Sequence, residues 1–414
     1  MRVMLVAQWF QPIIGGEEGH VLHLGQMLVQ RGHEVCVVTL WQPGLAEFEV
    51  VDGMRVHRIR GTLQRIGRLF FDDKRKSAAP MPDPGLVAAF RRILADERSE
   101  VVHAHNWLVH SFLPAKRGSG AALVLTLHDF SLVCARKDFM YLGAANCTGP
   151  GPSKCLRCAA RRFGLAKGVA TVAGNWTMAA FERSSVDRFI ADSKSVAEGN
   201  QLAERGVAYS IIPNFIADPD MAPPLPFDVA GLPEEPFLLY VGAISRIKGV
   251  PVLLRAYAGL DNPPPLVLIG YTSADTKEIL RALPARVTYL EGVPNRVVQE
   301  ARSRSRMAIV PSVSRDASPT VVLEAMAARL PIVASRIGGI PDQIETEVSG
   351  LLVKPGDASA LRAAIARVVN DAALAERLAA AAAERVEAFR ARAVVPRIEA
   401  VYEEAIAANR GSRR

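Results

Sequence analysis

Short apolar runs that end in glycine or a polar residue recur along this chain, each followed by a stretch with helical spacing, and the series starts twice. Residues 2–7 read as a first buried strand. Residues 19–31 read as a helix with Val21, Leu24 and Leu28 on one face and Gly32 as its stop. Glu34–Leu40, Val101–His105 and Leu123–His128 follow as strands, and Phe189–Asp192 and Tyr209–Pro213 close the half. Residues 215–236, rich in proline and acids, read as a linker. The second series has strands at Phe237–Gly242, Leu266–Gly270, Met307–Pro311 and Pro331–Ser335. Helices at 249–259 and 274–282 fall between them, and helical runs at 357–370, 372–389 and 394–408 come last. Such alternation predicts an α/β protein with helices on buried parallel sheets. At 414 residues the chain divides into two Rossmann-like halves, 1–214 and 237–393, with residues 394–414 crossing back to the first.

The composition narrows the partners. Half the residues are apolar and 22% are charged, as in a globular protein. A net charge of +8 asks for anionic partners. Lysine and arginine are not interleaved with an aromatic stacking platform, which argues against nucleic acid and for phosphorylated ligands or anionic lipid. The apolar N-terminal run meets polar residues by Gln8, and no other stretch has the length of a membrane span. The expectation is a cytoplasmic protein, peripheral on the inner face of a membrane if it meets lipid, with its five cysteines reduced or metal-bound.

The densest motif is Asp316-Ala-Ser-Pro-Thr-Val-Val-Leu-Glu324-Ala-Met-Ala. A polar loop from Asp316 to Thr320 runs into a helix read as Val321–Arg329. The amides of the helix start form an anion seat between two acids. Hydroxyls, a diphosphate and further hydroxyls, the layout of a nucleotide sugar, suit that order. After the first strand of the same half comes Gly242-Ala-Ile-Ser-Arg246-Ile-Lys248-Gly249, at a sheet edge where open α/β folds bind ligands. Arg246 and Lys248 either neutralise a diphosphate or form a solvated basic turn. Gly15-Gly16-Glu17-Glu18-Gly19 either lets backbone amides approach a phosphate or makes a plain turn. His103 and His105 end a strand and read as structural or substrate-lining. The one D-x-D, Asp218-Pro-Asp220, sits in the linker, so no divalent-metal catalysis is expected.

Lys248-Gly249, Glu324-Ala-Met-Ala with Pro331, and Gly350-Leu-Leu-Val-Lys-Pro-Gly-Asp resemble the donor domain of the retaining family 4 glycosyltransferases. Gly15-Gly16, Arg31-Gly-His-Glu-Val, His128-Asp129 and Ile212-Pro-Asn214 extend the resemblance over nearly the whole chain. It implies the GT-B fold, two Rossmann-like domains facing across a cleft. It also implies sugar transfer from a nucleoside-diphosphate sugar to an acceptor hydroxyl with retention. By that resemblance Glu324 holds the donor ribose and Asp316, in the place of a family Glu, the sugar hydroxyls. Backbone N–H groups around Ser318 to Thr320, flanking Pro319, hold the diphosphate with Lys248, and Arg246 substitutes for the Arg that the family has at position 243. His128 sits by the reacting carbon, and Gly16 lets its loop close on phosphate. Gly242, Gly270 and Val293 line the donor, the base lying near the last two. Ala243 stands where the family usually has Arg. A non-catalytic binding protein or another GT-B enzyme such as an epimerase remains as an alternative.

Two features lie outside that pattern. Cys134, Cys147, Cys155 and Cys158, spaced C-x12-C-x7-C-x2-C in a loop at about 130–160, suit a structural zinc; an iron–sulfur cluster or unbound thiols are the alternatives. Arg55–Lys76, with interleaved Leu63, Ile66, Leu69, Phe70 and Phe71, is either a surface for anionic membrane, as a lipid-linked acceptor would need, or a mobile basic loop. Cys36, mid-strand, reads as core.

Overall fold

A computed structural model describes residues 1–13, 15–62, 77–218, 231–272, 277–281 and 283–411. They form two compact units, Met1–Pro213 with Ala391–Arg414, and Asn214–Arg390.

The first unit is built on an eight-stranded sheet. Its strands are β1 (Arg2–Val6), β2 (Glu34–Leu40), β3 (Phe48–Val51), β4 (Met54–Ile59), β5 (Val101–Ala104) and β6 (Ala122–Leu127). A two-strand ribbon, β7 (Met140–Tyr141) and β8 (Ala145–Asn146), stands apart, and β9 (Arg188–Ala191) and β10 (Tyr209–Ile211) complete the sheet. The order is β10-β9-β6-β5-β1-β2-β4-β3. All pairs are parallel except β3 with β4, an antiparallel edge that the sequence reading did not anticipate. Val3 pairs with Val35 on one side and Val101 on the other, so the strand order reverses direction around β1. Loops after β1 and β5 therefore diverge and leave a crevice at their carboxyl ends. The last helix, Ala391–Gly411, belongs to this unit. Tyr402 is fully buried and shares a hydrogen bond with His103 Nδ1 (2.7 Å), while Glu399 pairs with Arg31 and His33 (2.6 and 2.7 Å).

The second unit carries β11 (Phe237–Val241), β12 (Leu266–Ile269), β13 (Val287–Leu290), β14 (Ser305–Val310), β15 (Ile332–Ser335) and β16 (Leu351–Val353), all parallel, in the order β13-β12-β11-β14-β15-β16. The order reverses between β11 and β14, and the Lys248 and Asp316 motifs follow those two strands.

Several boundaries differ from the sequence expectation, each for a local reason. The first helix begins at Gly16, with Glu17 and Glu18 in its first turn, where carboxylates suit the positive end of the helix dipole. Residues 215–217 are not linker: Phe215 is buried, Ile216 bridges Arg390, and Arg390 Nη1 donates to the Ala217 carbonyl (2.9 Å). Asn214 also belongs with the second unit. Residues 219–230, with Asp220, lie outside the described residues, as do 273–276 and 282 of the expected helix at 274–282, leaving Lys277–Leu280. Arg55, Arg58 and Arg60 are not part of a basic loop. They pair with Glu97, Glu49 and Glu47, and Arg58 is buried; residues 63–76 lie outside the description.

The turn after β11 closes at Gly249, whose φ is +79°; a Cβ there would stand 1.8 Å from the Pro311 carbonyl oxygen. Gly249→Ala should cost about 2 kcal/mol or more, read as a lower urea midpoint. An unchanged midpoint would contradict this packing.

Candidate active site

At the carboxyl edge of the second sheet, glycines bring backbones together. Gly270 (φ +153°) leaves no room for a Cβ against the Gly242 carbonyl (1.9 Å), and Gly338 (φ +61°) none against Asp316 (1.9 Å). The Gly339 amide donates to the Asp316 carbonyl (2.7 Å), fixing the loop that carries the acid. Lys248 Nζ then forms an ion pair with Asp316 Oδ1, and Ser312 Oγ donates to Asp316 Oδ2 (2.5 Å). Arg246, two residues before Lys248, is exposed.

The helix that follows Asp316 runs Thr320–Ala327, with Pro319 as its N-cap and no side-chain cap. Its leading amides thus keep the anion-binding character expected of the motif. Ser318 is buried beneath them. Asn214 Nδ2 donates to its carbonyl (2.9 Å), and the Asn214 amide and Gln343 Nε2 donate to its hydroxyl (3.2 and 3.3 Å). The Ser318 side chain therefore shapes the loop. Glu324, one turn on, pairs with the largely buried Arg302 of helix Asn295–Arg304, a partner the sequence reading missed. Tyr240 also escaped it: its hydroxyl donates to the Ala243 carbonyl (2.8 Å), and burial together with the Asp316 charge pushes its pKa upward. Val293 packs its side chain on Phe237, Leu239 and their neighbours, leaving its backbone to line the edge. Lys248, Asp316, Ser318, Thr320 and Glu324 are thus brought together in one unit, with Gly242, Gly270 and Val293 on the adjoining loops.

The first unit places a histidine cluster at the same edge of its own sheet. His20, on the first helix, and His105 and His128, after β5 and β6, hold ring nitrogens within 4.8 Å of one another. His128 Nδ1 pairs with buried Asp192 Oδ2 (3.6 Å), and His128 Nε2 lies 3.0 Å from His105 Nδ1. Burial pulls the pKa values of His20 and His105 well down and takes that of His103 to about 3, with the His128 charge adding to the effect. Burial opposes the His128 charge too, but Asp192, Glu17 and Asp129 outweigh it and raise its pKa. His128 thus stands between Asp192 on one side and His105 on the other. His103 is structural, bonded to Tyr402 and Thr126 (2.7 and 2.6 Å). Gly15 is the extended N-cap of the first helix and Gly16 its first residue, with open space where a Cβ would stand. Glu17, His20 and Asp192 went unrecognised in the sequence. His20 lies one helical turn past Gly16, a spacing that places it on the inner face.

Cys134, Cys147, Cys155 and Cys158 line one small cavity. The last two are not in a loop: they lie three residues apart on helix Pro152–Phe163, which starts at a proline. All four are free of disulfides, and Cys36 is buried in β2 as expected. Among the described residues no helix is long and apolar enough to cross a membrane.

Residues 14–218 match the family model described as "Glycosyltransferase Family 4", and residues 226–385 match that of "Glycosyl transferases group 1". Among curated relatives, a D-inositol 3-phosphate glycosyltransferase of Catenulispora acidiphila is 26% identical, over 96% of this chain and 92% of its own. A sucrose-phosphate synthase structure from Thermosynechococcus elongatus superimposes with a TM-score of 0.74 at 23% identity, covering 98% of this chain and 99% of that one. Anabaena HepE in complex with UDP-glucose gives 0.68 at 16% identity, covering 97% and 99%.

Glu17 supplies a pH test. Burial raises its pKa from 4.5 to about 7, with the His128 charge opposing, and Asn106 Nδ2 donates to Glu17 Oε1. A carboxyl with a raised folded pKa keeps its proton while the unfolded chain loses it. Stability therefore falls as pH climbs from 4.5 to about 7 and levels off above. Urea unfolding should show Glu17→Gln gaining on the wild type over that range; parallel curves for the two proteins would contradict the assignment.

Proposed function

The chain belongs to the group 1, family 4 glycosyltransferases of GT-B fold, and from that premise we propose that it moves a hexose-type sugar from a nucleoside diphosphate to an acceptor hydroxyl with retention of configuration. The observation that carries this reading is the row of groups in the second unit: Asp316 paired to Lys248, an uncapped helix start, then Glu324. The bond between the anomeric carbon and the diphosphate oxygen breaks, with the electron pair leaving on the diphosphate. Lys248, Arg246 and the amides of Ser318, Thr320 and Val321 stabilise that charge, the role a divalent metal plays elsewhere. The acceptor oxygen bonds to the same face of the carbon and passes its proton to the departing diphosphate. Glu324 binds the ribose and Asp316 the sugar hydroxyls. His128, beside Asp192, lies by the sugar. The UDP-glucose held by the Anabaena neighbour and the name of the Catenulispora relative agree in chemical class with this assignment.

A thermal-shift screen of nucleotide sugars with product detection tests the reading, since a donor stabilises the fold by mass action. Glu324→Ala should weaken donor affinity about tenfold, and Lys248→Ala should lower kcat about 100-fold. Unchanged affinity in the first variant would overturn the ribose assignment. Donor binding with no transfer to any acceptor would favour a binding protein.

The four cysteines around one cavity support a structural zinc. The Leu142 amide donates to Cys158 Sγ (3.1 Å) and the Gly151 amide to Cys155 Sγ (3.4 Å), while amides at 136, 137 and 139 bond Cys134. Amide donation of this kind suits thiolate ligands. Among the described residues the sulfurs do not yet converge as the three histidine nitrogens do, so binding would draw them inward. Purified protein should carry about one zinc, and chelation should lower Tm by several degrees. Less than about half an equivalent would refute the site.

A further inference from the structure

A cavity of about 530 Å³ in the first unit is lined by none of the donor residues named above. Its size is that of a small-ligand pocket. Trp9, Met81, Trp107 and Phe163 give it apolar walls, and Lys137 and Arg162 stand among them. The one acid among its described lining residues, Asp83, is turned to structure: the carboxylate accepts from the amides of Thr62, Gly85 and Leu86 (2.8, 2.8 and 3.2 Å) and caps helix Pro84–Glu97. The cavity is therefore apolar with cations at its wall, which leaves a sugar's hydroxyls few partners and suits an apolar chain with an anionic head.

Trp107 points to an occupant independently. It is 9% exposed, and its indole Nε1–H is buried with no acceptor among the described residues. A buried donor without a partner costs stability unless a ligand oxygen meets it. Lys137 Nζ stacks 4.1 Å from the same ring and lies 4.0 Å from Asp129, which follows His128. Trp107 itself follows His105-Asn106. The cavity wall is thus continuous with the histidine cluster, so a hydroxyl-bearing head and an apolar tail could be served side by side. The helix forming one wall, Leu165–Ser185, also leaves Leu165 75% and Val169 43% exposed.

We propose that this cavity is the acceptor site, and that the acceptor is an amphiphile: an apolar prenyl- or acyl-type chain carrying a phosphate-type anion. This deepens the transferase reading and rests on it. The probes are farnesyl phosphate, farnesol and inorganic phosphate, titrated by tryptophan fluorescence, with UDP binding measured in parallel. Farnesyl phosphate should bind at least about tenfold more tightly than farnesol, and inorganic phosphate should not displace it. Ala170→Trp, which fills the cavity from an exposed wall position, should weaken farnesyl phosphate about tenfold or more, and Arg162→Glu about fivefold, with UDP affinity unchanged in both. Equal binding of farnesol, displacement by inorganic phosphate, or indifference to Ala170→Trp would overturn the proposal. UDP binding without farnesyl phosphate binding would sink it alone. Farnesyl phosphate binding without UDP binding would instead sink the donor reading.

Discussion

The donor-side architecture depends on backbones approaching more closely than any side chain allows. Gly270 lies against Gly242, Gly249 against Pro311 and Gly338 against Asp316, each where a Cβ would stand within 2 Å of a carbonyl oxygen. These contacts draw together the loops after β11, β12, β14 and β15, where the strand order reverses. Only when the loops are so close can Lys248, from one, reach Asp316, from another. The glycines create no chemistry, but they set the distances at which the charged groups act.

Each unit then keeps its charges in pairs. Lys248 stands with Asp316, Arg302 with Glu324 and His128 with Asp192. In the proposed reaction a diphosphate shares Lys248 with Asp316, so the cation contributes most when negative charge grows on the leaving oxygen. That is the condition for lowering a barrier rather than merely binding substrate. In the first unit burial lowers the pKa values of His20, His103 and His105, while Asp192, Glu17 and Asp129 raise that of His128.

Much of this was legible in the sequence. The two alternating series gave the α/β halves, and the strand Glu34–Leu40 falls where its apolar run lies. The Asp316–Glu324 and Lys248 motifs converge because each follows a strand next to the reversal point. What stayed hidden depends on long-range packing. Arg302 and Glu324 are separated by one strand and a loop, and nothing local marks Arg302 as anything but a helical cation. Asp192 reads as a strand end until His128 stands beside it. The helices around Cys155 and Cys158 were masked by glycines and prolines that look like a loop, although Pro152 starts a helix. The antiparallel β3 was lost in a basic stretch whose arginines proved to be paired with acids.

The central claim is that backbone amides and Lys248, rather than a divalent cation, hold the donor diphosphate. Isothermal titration of UDP and ADP into the full chain, with and without EDTA, tests it most directly. The account predicts one nucleoside diphosphate per chain for whichever base fits, with an affinity that EDTA leaves unchanged. Binding that appears only when magnesium or manganese is supplied would contradict it.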